Sequence, residues 1–339
     1  MTNHQEHPLC VEDGYAIYTK PVEHLANFLL ANIAEGHHGA TAEAGGGVGK
    51  STALRFLTDN ASRWLKDAHG NPMGVAARMI MPSGQRRGDR QFWGAMNSRL
   101  KLGNAIRLDA GVALERLVNY IRTRCGEARQ RRMVLFIDNA QRITDAEYDY
   151  LEDLDALIAE EKLSLFILLM RQSDATGVKI SDDWTSRPSH TVRRWFMDTT
   201  SFRPLIGVAD VVHALGKYDR KMTFPTPDTS FTRYFARDAF DRGWTLSSQA
   251  ALIIEVINSL RRKYKLPPTD AWPMATFTLT VRYLLADIAA RTRDFRGFDD
   301  NQIRQALVAS GYLRLEFVRA KLCLPDNIER APAPEQRAA

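Results

Sequence analysis

The sequence is poor in cysteine and has no long apolar run. Its three cysteines, Cys10, Cys125 and Cys323, lie far apart in 339 residues and lack the spacing of a metal site. This usage argues against a disulfide-bonded scaffold and predicts a reducing, cytoplasmic compartment. The longest strand-like apolar run, Leu165 to Met170, is far too short to span a bilayer, so we expect no membrane partner. Residues 1–12 also lack the basic and then apolar pattern of a signal peptide.

The charge of the chain is unevenly distributed. The net charge is +6, with 45% hydrophobic and 25% charged residues, which is typical of a globular chain of one large or two ordinary domains. Residues 78–132 contain 13 Lys and Arg against 4 Asp and Glu, whereas residues 138–161 contain 9 acidic residues opposed only by Arg142. The first segment predicts a surface for a polyanion and the second a surface for a basic neighbour. Ordinary solvated helix faces explain either patch about as well.

A glycine-rich segment from Ala44 to Thr52 predicts a phosphate-binding loop that leads into a helix. Backbone N–H groups of such a loop converge on a polyphosphate at the positive end of the helix. Lys50 would reach the β- and γ-phosphates, and the Ser51 hydroxyl would hold Mg²⁺. The usual pattern has glycine where Ala44 stands, and the neighbouring glycine can supply the permissive backbone. The residues predicted to bind the nucleotide here are Gly45, Gly46, Gly47, Val48, Gly49, Lys50, Ser51 and Thr52.

A second nucleotide-site signal is the apolar strand predicted over Met133 to Ile137, which ends in Asp138. A carboxylate at the carboxyl end of a buried strand can hold the Mg²⁺ of a phosphate loop, as in a Walker B element. The pattern alone is weak, because most such residues are helix caps or turns, and it gains value from its pairing with Lys50. We therefore predict an ATP and Mg²⁺ site in which Ser51 and Asp138 are the metal ligands.

Hydrophobic periodicity predicts alternating strands and helices first and helices alone afterwards. The strand feeding the phosphate loop is predicted at Gly39 to Ala44, and the helix after the loop runs to about Trp64. Residues 231–318 read as helices only, including one continuous helix over Ala275 to Arg291. Further predicted strands lie at Val75 to Met81 and Leu163 to Met170, with helices at 22–35, 92–101, 110–128, 249–264 and 301–310.

The order of these parts resembles an AAA+ ATPase and, within that class, the transposition-regulator ATPases of the TnsC/TniB group. The likeness covers about residues 15–300 and implies an α/β fold: a P-loop AAA+ core, with a parallel sheet flanked by helices, and a C-terminal helical lid. It implies a lead-in and helix at 1–35, the ATPase core at 36–222 and the lid at 223–322. The low-complexity composition of residues 331–339 separately predicts a disordered tail, taken as 323–339. The segments that carry the likeness are Tyr15-x-x-Tyr18-x-x-Pro21, Gly49 to Thr52, Ile137 to Gln141, Val192 to Phe196 and Phe202 to Leu205.

The resemblance also implies roles for residues outside the phosphate loop. Gln172, just past a buried strand, would be the sensor that contacts the γ-phosphate or the attacking water. Arg193 and Arg194 fall where such proteins place an arginine finger that reaches the ATP of the adjacent subunit. Arg282, on a lid helix, would be the second sensor. The arginine pair could instead be a solvated helix end, and Arg282 could extend from a core helix to solvent.

Asn139 departs from the family pattern, in which Glu usually acts as the general base. An amide can orient water but cannot accept its proton at neutral pH. We therefore expect slow ATP hydrolysis by a catalytic set of Lys50, Asp138, Asn139, Gln172 and the two finger arginines.

The function implied by the resemblance is regulation of DNA transposition. The protein would assemble on double-stranded DNA as a homo-oligomeric ring or filament and recruit a transposase, together with a target-selection protein. An arginine-rich loop after the second predicted strand suggests the DNA contacts, with Arg86, Arg87, Arg90 and Lys101 as the candidates. The Arg261-Arg262-Lys263 cluster is the alternative. The competing functions are an AAA+ role in replication or repair loading and, as a different class, a P-loop small-molecule kinase.

Overall fold

The computed structural model describes residues 6–84, 88–103, 108–173, 187–325 and 328. The chain divides into two compact units. The α/β unit comprises Val22–Gly45 and Lys50–Phe202, and the helical unit comprises Met1–Pro21, Gly46–Gly49 and Arg203–Ala339. The division falls at Phe202 and Arg203 rather than at residues 222 and 223, and the assignment of residues 203–222 to the ATPase core stays a prediction. Most of the predicted tail at 323–339 lies outside the described residues.

The α/β unit is built on a five-stranded parallel sheet with the order β2-β3-β4-β1-β5. This sheet, flanked by helices, confirms the predicted P-loop AAA+ fold class. Strands β3 and β4 are apolar along almost their whole length, because helices cover both of their faces. The strands are β1 (Gly39–Ala44), β2 (Val75–Ile80), β3 (Arg132–Asp138), β4 (Ser164–Gln172) and β5 (Thr199–Ser201).

The helices of the α/β unit follow the predicted segments closely, with one correction. They are α1 (Lys20–Ala34), α2 (Lys50–Asp59), α3 (Ala61–Trp64), α4 (Asp89–Arg99), α5 (Ala110–Glu127), α6 (Asp145–Glu160) and α7 (Ser189–Trp195). The prediction of one helix from Lys50 to about Trp64 is wrong, because Asn60 leaves helical geometry at φ −117° and ψ 31°. The Leu57 carbonyl, the acceptor that a continuous helix would offer to the N–H of Ala61, accepts from Nε1 of Trp64 at 2.7 Å.

The helical unit has its own hydrophobic core. Its main helices are α8 (Gly207–Arg220), α9 (Phe231–Phe235), α10 (Arg237–Asp241), α11 (Ala250–Lys263), α12 (Met274–Arg282), α13 (Asp300–Ala309) and α14 (Tyr312–Arg319). The continuous helix predicted over Ala275 to Arg291 is interrupted: α12 passes into a π-helix at Tyr283–Ile288 and a 3₁₀ turn at Ala289–Arg291. The prediction of helices only is also wrong, since β7 (Ala271–Trp272) pairs antiparallel with β6 (Leu205–Ile206).

A buried ion pair stabilises the helical unit between α11 and α14. Arg261 donates to the Glu316 carboxylate, to the Tyr312 hydroxyl at 3.0 Å and to the Pro267 carbonyl at 2.9 Å. Burial raises the pKa of Tyr312 to about 12, so its hydroxyl stays protonated at neutral pH. Arg261 therefore belongs to the core. Among the residues that the structure describes, every helix is too short or too polar to cross a membrane.

Gly39, at the start of β1, is a position where packing excludes a side chain. A Cβ there would lie 2.6 Å from Cε3 of Trp195 and 2.7 Å from the Ile167 carbonyl oxygen. We expect Gly39→Ala to destabilise the protein by about 1–3 kcal/mol, because buried Trp195 and the neighbouring strand must shift. Thermal unfolding followed by circular dichroism measures the change.

The matched control is Gly111→Ala, in the first turn of α5, where an added Cβ meets nothing within 4 Å. This substitution should raise the melting temperature slightly, because alanine loses less backbone entropy in a helix than glycine does. Equal melting temperatures for Gly39→Ala and wild type would contradict the proposed packing constraint.

Candidate nucleotide-binding site

The phosphate loop lies between the end of β1 at Ala44 and the first residue of α2, Lys50. Gly47 and Gly49 have φ values of +73° and +92°, in the left-handed region that favours glycine. The backbone of Gly45 is open, since a Cβ there would meet nothing within 4 Å. The loop therefore has the glycine-dependent conformation that the sequence pattern predicts, ending at a helix N-terminus.

Lys50 is held by the end of β4. Its Nζ donates to Oε1 of Gln172 at 2.9 Å, and the Gln172 backbone N–H donates to Oε1 of Gln141 at 3.1 Å. The register of the sheet explains this meeting, because Ala44 pairs with Gln172 where β1 and β4 end. Gln141 orients the segment that carries Gln172, and nothing in the local pattern around Gln141 indicated this contact.

Ser51 and Asp138 meet in the same unit. The Ser51 hydroxyl donates to Oδ2 of Asp138 at 2.5 Å, and the Asn139 N–H donates to Oδ1 of Asp138 at 2.9 Å. A hydroxyl and a carboxylate in contact are the protein ligands that fit a phosphate-bound Mg²⁺. In the described ranges, no group of three or more His, Cys, Asp and Glu forms a metal cluster. A Mg²⁺ at Ser51 and Asp138 would thus need oxygens of the nucleotide or water to complete its coordination.

Asn139 follows Asp138 in the left-handed conformation, at φ 58° and ψ 38°. Asparagine tolerates this conformation better than most residues, because its short amide can hydrogen-bond locally. Asparagine at position 139 therefore suits the local backbone conformation, in addition to its expected effect on catalysis. Thr52, the last predicted nucleotide ligand, is exposed in the first turn of α2.

Within the helical unit, the middle of the loop contacts two helices. The N–H of Ala275, in the first turn of α12, donates to the Gly47 carbonyl at 3.0 Å. Cβ atoms at Gly47 and Gly49 would lie 3.2 Å from Cδ2 of Leu315 and 2.9 Å from Cβ of Met274, respectively. Packing therefore restricts Gly49 most tightly, and the backbone conformation favours glycine at both positions.

The two candidate finger arginines have different surroundings. Arg194 donates to Oδ2 of Asp155 on α6 at 3.2 Å, and His38 lies 2.7 Å from the same oxygen. Burial raises the pKa of Asp155, while His38 and Arg194 lower it. Arg193, one residue earlier on α7, is exposed. Arg194 is thus engaged within its own chain, and Arg193 is exposed to solvent.

Arg282 lies at the end of α12, near the N-terminal residues. Its guanidinium is 5.6 Å from the ring centre of Tyr283, and its charge lowers the pKa values of Cys10 and Tyr15 against the larger, raising effect of burial. The pKa of Tyr15 is raised to about 12, and its hydroxyl lies 3.0 Å from that of Tyr218. A role for Arg282 as second sensor stays a prediction.

The candidate DNA contacts are only partly described. Arg86 and Arg87 lie outside the described residues. Arg90 is exposed in the first turn of α4. Lys101 is exposed just beyond the other end of this helix, where its N–H donates to the Ser98 carbonyl at 3.1 Å.

Comparison with known proteins finds a family match over part of the α/β unit. Residues 41–177 match the AAA domain. None of the curated proteins matches the chain. The AAA domain match and the geometry of Lys50, Ser51 and Asp138 indicate a nucleotide-hydrolysing P-loop ATPase.

Solved structures similar to the chain include Cdc6p from Pyrobaculum aerophilum, with 14% identity, a TM-score of 0.39 and coverage of 81% of this chain and 71% of that one. The Aeropyrum pernix Orc1 protein in complex with DNA has 14% identity, a TM-score of 0.35 and coverage of 98% and 84%. The Drosophila ORC bound to GC-rich DNA and Cdc6 has 12% identity, a TM-score of 0.35 and coverage of 88% and 48%.

The AAA domain contains no carboxylate at position 139, and this predicts slow ATP turnover. We expect wild-type turnover well below the median of about 10 s⁻¹ for enzymes. Asn139→Glu should raise it, because a carboxylate can take the proton of the attacking water. The control is Asn139→Gln, which matches the length of glutamate but supplies no base. A colorimetric phosphate assay measures all three proteins. Wild-type turnover at or above the median, abolished in Asp138→Ala, would show that another group is the base.

Proposed function

We propose that the protein is an ATP-dependent, DNA-binding AAA+ regulator of DNA transposition. It binds ATP and Mg²⁺, oligomerises through its nucleotide sites, assembles on double-stranded target DNA and recruits or activates a transposase with a target-selection partner. The observation that carries the nucleotide part is the convergence of Lys50 with Gln172 and of Ser51 with Asp138 at the carboxyl ends of neighbouring strands. The transposition part rests on the sequence resemblance to the TnsC/TniB group.

The proposed chemistry uses residues of this chain in defined roles. Lys50, released from Gln172, binds the β- and γ-phosphates as the fixed cation of the loop. Ser51 and Asp138 hold Mg²⁺, which neutralises charge on the phosphate oxygens when it is bound. Gln172 and Asn139 orient water through their amides and accept no proton. A site of this kind favours a long-lived ATP-bound assembly over rapid turnover.

We assign the arginine finger, which reaches the ATP of the adjacent subunit, to Arg193. Arg194 is engaged by Asp155 and His38, so it positions α7 on α6, while exposed Arg193 at the same helix end can reach a neighbouring subunit. Arginine suits this role because its charge is permanent and its planar group can bind phosphate through two N–H donors.

DNA assembly is supported by the distribution of charge. The excess of arginine and lysine in residues 78–132 places α4 and α5 on a basic segment, and such segments bind phosphate backbones. Electron micrographs of the protein with duplex DNA and a non-hydrolysable ATP analogue would reveal rings or filaments. A pull-down then separates the functions: capture of a transposase supports the regulator, capture of replication or repair proteins supports the loader, and no assembly on DNA favours the kinase.

Lys50→Ala should abolish both ATP binding and nucleotide-dependent assembly, because the phosphates lose their one fixed cation in the loop. Fluorescence titration with a labelled ATP analogue and light scattering on DNA measure the two effects. Lys66→Ala, a charge-matched change at an exposed residue in the same unit, is the control. Unchanged nucleotide affinity in Lys50→Ala would refute the assignment of the loop.

Arg193→Ala should remove ATPase activity in a way that a second defective subunit can repair. When an Arg193→Ala chain is mixed with a Lys50→Ala chain, some interfaces combine an intact loop with an intact finger, so activity should return in part. Arg194→Ala mixed with Lys50→Ala is the comparison. We expect Arg194→Ala to remove the ion pair with Asp155 inside its own chain, a loss that a neighbouring subunit does not repair. Absence of recovery at every mixing ratio with Arg193→Ala would argue against a finger in trans.

A further inference from the structure

The helix that carries the proposed finger is too short to be fixed by its own hydrogen bonds. Helix α7 has 7 residues, and isolated helices shorter than about 12 residues are marginally stable in water. The direction in which exposed Arg193 points therefore depends on the contacts that hold α7 in the α/β unit.

Helix α6 holds one side of α7. Arg194 is paired with Asp155, and Phe196, the residue that follows α7, is fully buried. The ring of Phe196 lies edge to face against that of Tyr148 on α6, with the ring centres 5.4 Å apart. These contacts explain how α7 packs on α6, and a further set of contacts attaches the end of α7 to the sheet.

Strand β1 holds the end of α7 through Thr41. The Thr41 side chain is fully buried, and its hydroxyl donates to the carbonyl of Trp195, the last residue of α7, at 2.8 Å. The last carbonyls of a helix have no partner within the helix, so this hydroxyl satisfies one of them. The Thr41 N–H donates to the Asp198 carbonyl at 3.1 Å. Thr41 thus binds the connection between α7 and β5 at two points.

Asn32 on α1 binds the same connection through a side chain. Asn32 is fully buried, and its Nδ2 donates to Oδ2 of Asp198 at 2.5 Å and to the Phe28 carbonyl at 3.0 Å. Its Oδ1 lies 2.8 Å from Nδ1 of His37. A buried amide with partners at both ends favours a single geometry. Asp198 is therefore bound by Thr41 through its backbone and by Asn32 through its carboxylate.

The position of Thr41 in β1 relates this network to the phosphate loop. Thr41 lies three residues before Ala44, where β1 ends and the loop follows, and this separation is about 10 Å along a strand. Strand β1 is held on both edges, by β4 and by β5. The finger helix and the phosphate loop of one chain are therefore attached to the same paired strand.

We propose that Thr41 is a positioning residue for the arginine finger. Its hydroxyl fixes the end of α7 on β1, so that Arg193 is presented to the ATP of the adjacent subunit in one orientation. Asn32 and Asp198 support this geometry, and Thr41 acts through α7 rather than on the nucleotide. The inference rests on the proposed function, in which Arg193 acts between subunits, and adds the residues that set its position.

Thr41→Val tests the hydroxyl, because valine has nearly the same shape as threonine and donates no hydrogen bond. ATP turnover should fall by about ten- to a hundredfold, since a small misplacement of a catalytic group is costly in rate. Thr41→Ser keeps the hydroxyl and should retain most of the activity. The control is Thr58→Val on α2, where the hydroxyl donates to the Leu54 carbonyl at 2.8 Å, and its turnover should stay near that of wild type.

Mixing with a Lys50→Ala chain separates positioning from general stability. A misplaced finger impairs the site of the neighbour, so a Thr41→Val chain should bind a labelled ATP analogue with wild-type affinity. Mixing should then restore part of the turnover, because the Lys50→Ala chain supplies a correctly held finger. A loss of turnover that mixing does not restore would show that Thr41 only stabilises its own chain. That result, or wild-type turnover in Thr41→Val, would overturn the proposal.

Asp198→Ala is the second variant, at a position that is only half-buried. It removes the carboxylate that accepts from Asn32, and it should lower turnover in the same recoverable way. If Thr41→Val does not fold, wild-type turnover in Asp198→Ala overturns the proposal instead. Failure of the proposed function gives a different result: Arg193→Ala then keeps wild-type turnover itself, and the role of Thr41 falls with that of the finger.

Discussion

The hydrogen bond between the Ser51 hydroxyl and Asp138 depends on the parallel sheet, and the rest of the site depends on that same sheet. Parallel strands end at one edge, so β3 delivers Asp138, β4 delivers Gln172 and β1 delivers the phosphate loop to neighbouring positions. A parallel sheet needs both faces covered, which explains the almost continuous apolar sequences of β3 and β4. Fold and chemistry therefore follow from one constraint: buried strands that end in polar residues at a common edge.

The features that could be predicted from sequence were those with a local physical cause. The turn after β1 requires glycine, the apolar run of β3 requires burial, and Asp138 is informative because it follows that run. For the same reason the phosphate loop, strands β1 to β4 and most helices lie where periodicity and glycine content place them, whereas β5 was not predicted. Gln172 was located by its position just past the predicted strand that ends at Met170; it is the last residue of β4, and its hydrogen bond with Lys50 agrees with that placement. Its role in catalysis stays a prediction.

What the sequence did not predict depends on residues far apart in the chain. Asp155 and Arg194 meet because α6 and α7 pack together, and neither residue has a local pattern that indicates the other. Strands β6 and β7 pair although helices α8 to α11 separate them in the sequence. Each strand is too short to show an alternation of apolar and polar residues. Asn60 leaves helical geometry in a segment whose apolar spacing continues, and the Leu57 carbonyl there accepts from buried Trp64.

The same sheet edge also connects ATP with the proposed DNA surface. Strand β2 ends beside β3, where Ile80 pairs with Asp138, and the Met81 N–H donates to the Asp138 carbonyl at 2.8 Å. Met81 in turn accepts from Arg142 and lies in the basic segment of residues 78–132 that we propose for DNA. The proposed Mg²⁺ ligand Asp138 is thus joined by one backbone hydrogen bond to a residue of that basic segment. This bond gives ATP occupancy a short structural route to the proposed DNA surface, and any coupling between the two ligands would be reciprocal.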